Sequence, residues 1–147
     1  MPVLTVDDVS AGTGPSGTSA VGPGLIMLEP GDVVSTAAGS ARVVTEHGAA
    51  LGPFLTLYRP DGERLDARFL AGFLTFAHTR TGAGSSRMDL RRTRVPRLSL
   101  ERQRAYGHAF QELARLTETL REMSSLGEML VRLSFDGLLD GHLRPAP

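Results

Sequence analysis

The chain lacks cysteine, lysine and any long hydrophobic run, and its formal net charge is zero. Without cysteine it forms no disulfides, thiolate metal sites or cysteine nucleophiles. Without lysine it forms no Schiff base, P-loop phosphate site or lysine-dependent nuclease centre. No apolar run approaches the roughly 20 residues that span a bilayer, and the first residues lack the basic and apolar regions of a signal peptide. The sequence therefore predicts a cytoplasmic protein with no membrane segment.

Recognisable catalytic and metal-binding patterns are also missing. The four histidines are not at ligand spacing on one helix, and no serine lies in a Gly-x-Ser-x-Gly elbow. Residues 12–17 imitate a dinucleotide-binding loop, but Pro15 lies inside it and no periodic helix follows. Asp7 and Asp8 with Asp32 suggest a metal site only weakly, because lone acidic residues are usually solvated. The sequence predicts no enzyme activity, no cofactor and no metal.

The zero net charge hides a strong asymmetry along the chain. Residues 80–104 hold eight arginines against two acids, which leaves a charge of +6, whereas residues 1–79 carry −4 and residues 105–147 carry −2. Arginine suits bidentate pairing with phosphate and with guanine edges. The alternative is a solvated face whose arginines pair with acids from the rest of the chain. The charge pattern alone leaves both interpretations open.

The first half of the chain is predicted to be rich in short strands. Residues 3–6, 33–36, 42–45 and 54–58 are β-branched or aromatic and are bounded by turn residues. Residues 10–24 are predicted to be a loop because glycine and proline leave no periodic pattern. Pro30-Gly31 predicts a type II turn, with glycine at a positive φ. A short strand is also predicted at residues 87–90.

Two helices are predicted in the second half. Asp66 is a suitable N-cap for a helix over residues 67–80, whose phenylalanines and leucines recur at helical spacing. Ser99 is a suitable N-cap for a helix of about 35–40 residues, which at 1.5 Å per residue is about 55 Å long. That length exceeds the dimensions of a domain of about 100 residues, so the helix is expected to extend beyond its own globule.

An apolar stripe with spacings of three and four runs along this long helix and predicts a partner helix from a second copy or another chain. The residues predicted to pack on that partner are Phe110, Leu113, Leu116, Leu120, Met123 and Leu130. Leu126 and Leu133 continue the stripe, and Gly107 and Gly127 mark possible breaks. The alternative is two shorter helices folded into a hairpin. The predicted fold class is α+β: a small β-rich globule at 1–98 with one packed helix, a coiled-coil-like helix at 99–140 and a tail at 141–147.

The order of several short motifs resembles a known family. The motifs are Pro-Gly-Asp-Val-Val at 30–34, Gly-x-Phe-Leu-x-Leu-Tyr-Arg-Pro at 52–60, Arg-Phe-Leu-Ala-Gly-Phe-Leu at 68–74, Gly-Ser-Ser-Arg-Met-Asp-Leu at 84–90, Val-Pro-Arg-Leu at 95–98 and Leu-Glu-Arg-Gln-Arg at 100–104. This series is similar to the target recognition domain of type I restriction-modification specificity subunits. It is equally similar to the C-terminal recognition region of some adenine DNA methyltransferases.

The resemblance implies a non-catalytic module that reads one half of a bipartite DNA target, with a long helix that sets the half-site spacing. It implies double-stranded DNA and an adenine DNA methyltransferase subunit as partners, in restriction-modification or related phage defence. Because the chain has one recognition domain and lacks the Asn/Asp-Pro-Pro-aromatic motif of the methyltransferases, it is expected to be a dimerising half-subunit or a detached recognition module. The alternative function is a helix-mediated oligomeric adaptor that does not bind DNA.

The predicted DNA-contacting residues flank a loop of small polar residues that can approach a groove closely. They are Arg80, Ser85, Ser86, Arg87, Arg91, Arg92 and Arg94. Serine hydroxyls can donate to phosphates or base edges, and arginines can reach phosphates or guanine. We expect Arg87, Arg91 and Arg92 to include at least one phosphate-contacting and one base-reading residue.

Overall fold

The computed structural model of the chain describes residues 1–80 and 94–146, with side chains described outside 78–80. The strands are β1 (Pro2–Leu4), β2 (Gly17–Thr18), β3 (Val33–Thr36), β4 (Ala41–Val43), β5 (Ala50–Leu51) and β6 (Leu55–Tyr58). The helices are α1 (Val6–Ala11), α2 (Ala67–Arg80) and α3 (Leu100–Leu139). This is the mixed α+β architecture that the sequence predicts.

The strands form two small sheets. In one sheet β1 lies between β2 and β5, antiparallel to β2 and parallel to β5. In the other sheet β3 lies between β4 and β6 and is antiparallel to both, with Val33 opposite Tyr58 and Thr36 opposite Leu55. All four residues of β3 are buried, because α1 and α2 pack against the same sheet.

The core consists of two apolar clusters on either side of β3. Leu4, Val9, Leu28 and Val34 belong to one cluster. The other joins Val33 to residues 70, 71 and 74 of α2. Alternate residues of β3 therefore enter different clusters, as the period-two pleat of a strand requires.

Three predictions in the first half of the chain were wrong in detail, and one strand was missed. The strand predicted at 3–6 is Pro2–Leu4, and Val6 instead opens α1. The segment predicted to be loop, 10–24, contains the end of α1 and also β2. Strand β5 was not predicted, and the strand predicted at 42–45 is Ala41–Val43. The hydrogen bonds of β2 and β5 come from β1, so their pairing depends on tertiary contacts rather than on local pattern.

Helix α2 begins and ends where the sequence predicts. The Oδ1 atom of Asp66 accepts a hydrogen bond from the Phe69 backbone N–H at 2.8 Å, which is the predicted N-cap contact. The turn at Pro30-Gly31 also forms as predicted: Gly31 has a φ of 93°, and the Asp32 N–H donates to the Glu29 carbonyl at 3.0 Å.

Helix α3 is one continuous helix of 40 residues and not a hairpin. Ser99 caps it, with its Oγ accepting from the Arg102 N–H at 3.4 Å. Gly107 is not a break but a packing residue, since an added Cβ would lie 2.9 Å from the Phe69 backbone nitrogen. The chain divides into two compact units, Met1–Gln111 and Glu112–Pro147, with the boundary inside α3.

Within the first unit, the start of α3 is fixed by a buried glutamine. Gln103 is 5% exposed. Its Oε1 accepts from the Asp66 N–H at 2.9 Å, and its Nε2 donates to the carbonyls of Arg64 and Leu98, both at 3.0 Å. Every polar atom of this amide group therefore contacts the connection into α2 or the residues just before α3, and the 100–104 motif has a structural role here.

Candidate nucleic-acid interface

Most of the predicted DNA-contacting residues lie outside the described residues. Ser85, Ser86, Arg87, Arg91 and Arg92 belong to residues 81–93, as does the strand predicted at 87–90. Arg80 is the last residue of α2. Arg94 is described and is exposed to solvent.

In the described part of the arginine-rich segment, residues 94–104, the arginines are exposed and form no ion pairs. Arg94, Arg97, Arg102 and Arg104 are all exposed. Among residues 1–80 and 94–146, the ion pairs involve Arg59, Arg64, Arg115 and Arg121 and none of these four. Pairing with acids, the alternative to a phosphate-binding role, is not seen for these four arginines within that part of the chain.

The β4–β3–β6 sheet has one acidic end, which we call the Asp32 end. The segments that enter and leave the sheet there contain six carboxylates: Glu29, Asp32, Glu46, Asp61, Glu63 and Asp66. Asp32 is buried and accepts from the Glu29 N–H at 2.9 Å, and the Arg59 Nε lies 3.2 Å from its Oδ1. Arg59 also donates to the Met27 carbonyl at 2.7 Å. The Pro-Gly-Asp and Tyr-Arg-Pro motifs thus stabilise the fold at this end.

The opposite end of the same sheet, which we call the Phe54 end, has no carboxylate in its own segments. It is formed by the turn 37–40 between β3 and β4, by residues 52–54 before β6 and by the last turns of α2. Residues 35–41, 52–58 and 69–80 contain no Asp or Glu. The sheet and α2 are therefore electrostatically polarised from one end to the other.

Helix α2 carries the chain toward the Phe54 end. The Thr75 hydroxyl accepts from the Ala41 N–H at 3.2 Å, and Ala41 is the register partner of Ser35. Arg80 follows Thr75 by five residues, which is about 7.5 Å of helix. The arginine-rich segment thus leaves the described structure from the acid-free end of the sheet.

Phe54 is the functional candidate that sequence reasoning missed. It is 88% exposed and has a φ of 63°, a conformation that is unfavourable for a bulky side chain. The strand predicted from Phe54 starts one residue later, at Leu55, for this reason. A positive φ at a phenylalanine cannot be predicted from the local sequence, because glycine and asparagine are the residues that usually adopt a positive φ.

A second polar cluster holds the glycine-containing loop at 12–17. Asp8 is 3% exposed, and its Oδ2 accepts from the N–H groups of Thr5 at 2.8 Å and Ser16 at 3.0 Å. The Arg42 guanidinium donates to the carbonyls of Asp8 and Thr13. These contacts anchor the loop beside a cleft of about 430 Å³ that Pro15, Arg42 and His47 help to line.

The same contacts set the protonation of Asp8. The Ser16 backbone N–H makes the largest contribution, and the Thr5 N–H adds to it, so the pKa of the Asp8 carboxyl lies well below its usual range despite burial. The carboxylate is thus occupied by donors within the chain. Within the described residues, no group of three or more His, Asp or Glu side chains is placed to hold a metal ion.

We expect Asp8→Asn to lower the free energy of unfolding at neutral pH and to do so by a smaller amount in acid. A carboxyl whose folded pKa is below its unfolded value stabilises the fold fully above the unfolded pKa of about 4, and this contribution shrinks as pH falls from there toward the folded pKa, so the deficit of the variant should be smaller at about pH 3 than at about pH 7. Urea unfolding at about pH 7 and about pH 3 measures the difference between wild type and variant. Asp7→Asn, which removes an exposed neighbouring carboxylate, is the matched control. An equal deficit for Asp8→Asn at both pH values would contradict this role.

The predicted partner-binding stripe divides between the two units. Phe110 belongs to the first unit and packs against α2, with ring centroids 5.3 Å from Phe76 and 6.3 Å from Phe69. It is half-buried within its own unit, unlike the rest of the predicted stripe. In the second unit Leu113, Leu116, Leu120, Met123 and Leu130 are between 49% and 66% exposed.

The exposed apolar surface of the second unit is wider than a strict heptad seam. Leu126, Met129, Val131, Leu133, Phe135 and Leu138 are between 45% and 64% exposed as well. No helix in residues 1–80 or 94–146 combines the length and apolar character that crossing a membrane requires. Apolar side chains at this density on one helix are typical of a surface that a partner covers.

The candidate site thus combines three features. The Phe54 end of the sheet has no carboxylate in its own segments, it carries an exposed aromatic residue, and helix α2 leads from this end into the arginine-rich segment. No known protein family, curated protein or solved structure matches the chain.

Proposed function

We propose that the chain is a non-catalytic DNA-recognition module of a restriction-modification or related phage-defence system, which directs a separate adenine methyltransferase to its target. The observation that carries this proposal is the charge polarity of the β4–β3–β6 sheet and α2. A duplex meets no carboxylate in the segments of the Phe54 end, whereas those of the Asp32 end contain six, of which Asp32 and Asp61 are paired with Arg59 and Arg64. The order of sequence motifs supports the same function by resemblance.

The exposed arginines add a phosphate-binding component. Arg94, Arg97, Arg102 and Arg104 are free of ion pairs among the described residues, so binding to phosphate does not require breaking a pair seen there. Because Gln103 binds the Asp66 N–H and the Arg64 carbonyl, its neighbours Arg102 and Arg104 lie near the Asp32 end and would contact phosphates apart from the Phe54 end. Phosphate contacts position a protein on DNA, and base contacts give it specificity. In this proposal these arginines contribute mainly to position.

The apolar face of α3 supports assembly as part of this function. Its exposed leucines fit a second copy of the chain or the helix of a second recognition domain, which would bring two half-site readers together. A helix with such a face and no DNA binding would instead be an oligomeric adaptor. Salt dependence separates the two functions.

We expect the full chain to bind a fluorescein-labelled, mixed-sequence duplex with an affinity that falls linearly in log K against log salt. The slope is about −0.9 per phosphate contacted. Arg94→Ala should reduce the magnitude of the slope by about one unit. Arg64→Ala is the matched control, because Arg64 is exposed but paired with Asp61 at 3.8 Å at the Asp32 end. Fluorescence anisotropy measures all three proteins.

The same salt-dependent binding measurement applies to the predicted arginines that lie outside the described residues. Single alanine variants of Arg87, Arg91 and Arg92 should fall into two classes. A variant of a phosphate-contacting arginine should lose affinity for all duplexes alike and show a smaller salt slope, whereas a variant of a base-reading arginine should lose affinity and specificity at one base position. If the wild-type chain shows no salt-dependent binding to any duplex, the DNA-recognition proposal is wrong and the adaptor is favoured.

A further inference from the structure

Phe54 stands out because it combines two unfavourable features for stability. Its φ of 63° is strained for a bulky residue, and at 88% exposure its ring gains almost nothing from burial. A glycine at this position would remove the strain without loss of packing. The fold therefore gives no reason for a phenylalanine here, which indicates that the ring has a use outside the chain.

The turn that presents Phe54 is held firmly on both sides. Gly52 lies against the Leu4 carbonyl so closely that any added Cβ would clash with it. Pro53 has a restricted φ, and Leu55 is already paired with Thr36 in the sheet. The backbone at residue 54 is thus held so that the side chain faces outward before any partner arrives, which lowers the entropic cost of binding.

The surroundings of Phe54 allow a close approach. The neighbouring turn contributes Ala37 and Ala38, both exposed, and Gly39 with a φ of 94°. These residues have little bulk, and no carboxylate lies in their segment. A protruding aromatic ring beside small residues on an acid-free surface suits the floor of a DNA groove better than an acidic protein surface.

Resting on the proposed DNA-recognition function, we propose that the ring of Phe54 makes direct apolar contact with bases of duplex DNA. Phenylalanine can contact the thymine methyl group in the major groove or lie between base steps in the minor groove. In both cases the contact is with the bases and not with the phosphates. Phe54 then contributes to affinity without contributing to the salt slope.

The first test is Phe54→Gly in the full chain. Because glycine adopts a φ of 63° without strain, the variant should melt at the wild-type temperature or above it. Its affinity for the mixed-sequence duplex should fall between about fivefold and about a hundredfold, which is the range seen for loss of one base–aromatic contact. The slope of log K against log salt should stay at the wild-type value, unlike that of Arg94→Ala.

The second test uses the absence of tryptophan from the chain. Phe54→Trp introduces a single indole whose emission should be quenched when the duplex is added, because nucleobases in contact with indole quench it. Val21→Trp is the matched control, since Val21 is 82% exposed in a different loop. Its emission should change little on the same titration.

The outcomes distinguish this inference from the function on which it rests. If the wild type binds the duplex while Phe54→Gly binds equally well and Phe54→Trp is not quenched, the inference is wrong and the DNA-recognition function stands. If Phe54→Gly instead loses association with a methyltransferase subunit at unchanged DNA affinity, the ring contacts protein and the inference is wrong. If the wild type binds no duplex, both proposals are wrong.

Discussion

We expect the chain to self-associate, and Leu116→Asp combined with Leu120→Asp to yield a monomer with its first unit intact. Both leucines lie on the apolar face of α3 in the second unit and are more than half exposed within the chain. In a symmetric pair four buried leucines would be lost, at about 1.5–3 kcal/mol each. A total of about 6 kcal/mol or more raises the dissociation constant by about four orders of magnitude, at about 1.4 kcal/mol per tenfold change.

Light scattering at micromolar concentration measures the mass of both proteins. Ala114→Asp combined with Ser125→Asp is the matched control, because it adds the same charge at exposed positions on the opposite side of α3 from Leu116 and Leu120. The control should remain associated. A wild-type chain that is already monomeric would show that no second copy covers this face, and the half-subunit interpretation would then be wrong.

Gly107→Ala and Gly127→Ala should affect the protein very differently although both lie inside α3. An alanine at 107 would place its Cβ 2.9 Å from the Asp66 Oδ1 and 2.9 Å from the Phe69 nitrogen, which are the two atoms of the α2 N-cap bond. Overpacking of this kind costs about 1–3 kcal/mol. At Gly127 an added Cβ meets nothing within 4 Å, and alanine is favoured over glycine in a helix by about 1 kcal/mol.

Tyrosine fluorescence isolates the effect of Gly107→Ala. The chain has no tryptophan, and its two tyrosines, Tyr58 and Tyr106, both lie in the first unit. Urea unfolding followed by this signal should show a lower midpoint for Gly107→Ala and an unchanged midpoint for Gly127→Ala. Far-ultraviolet circular dichroism should show at least wild-type helicity for the latter. Equal stability of the two variants would refute close packing at Gly107.

The long elements could be predicted because their signals are local. Helix α2 has a capping aspartate and repeated apolar residues, and α3 has 40 residues without proline. Helix α1 has only six residues, and its signal was the capping box in which Thr5 and Asp8 each bind the other's backbone. That pattern is present in the sequence as Thr-Val-Asp-Asp, ahead of a segment too short for periodicity to confirm it.

The sequence predicted which segment of the candidate site is basic, but it did not predict how the site is arranged in three dimensions. Counting arginines located the basic segment, whereas the acid-free end of the sheet emerged only when β3, β6 and α2 were placed side by side. Phe54 fitted the apolar pattern of a strand, so its outward position depended on the backbone conformation at one residue. Gln103 is part of the 100–104 motif on which the resemblance rests. Its three hydrogen bonds join residues up to 39 positions apart, so no local sequence pattern could have predicted them.

The residues that fix the fold and the exposed residues of the Phe54 end are different residues. Asp32 and Gln103 make buried polar contacts at the Asp32 end, and the buried Thr36 hydroxyl accepts from the Ser40 N–H at 3.2 Å at the Phe54 end, whereas Ala37, Ala38 and Phe54 are exposed. Mutations at Ala37, Ala38 or Phe54 therefore disturb no buried partner. If the proposed DNA-recognition function holds, a lineage of such proteins can explore new DNA targets at these positions through single substitutions, each of which leaves a folded intermediate for selection to act on.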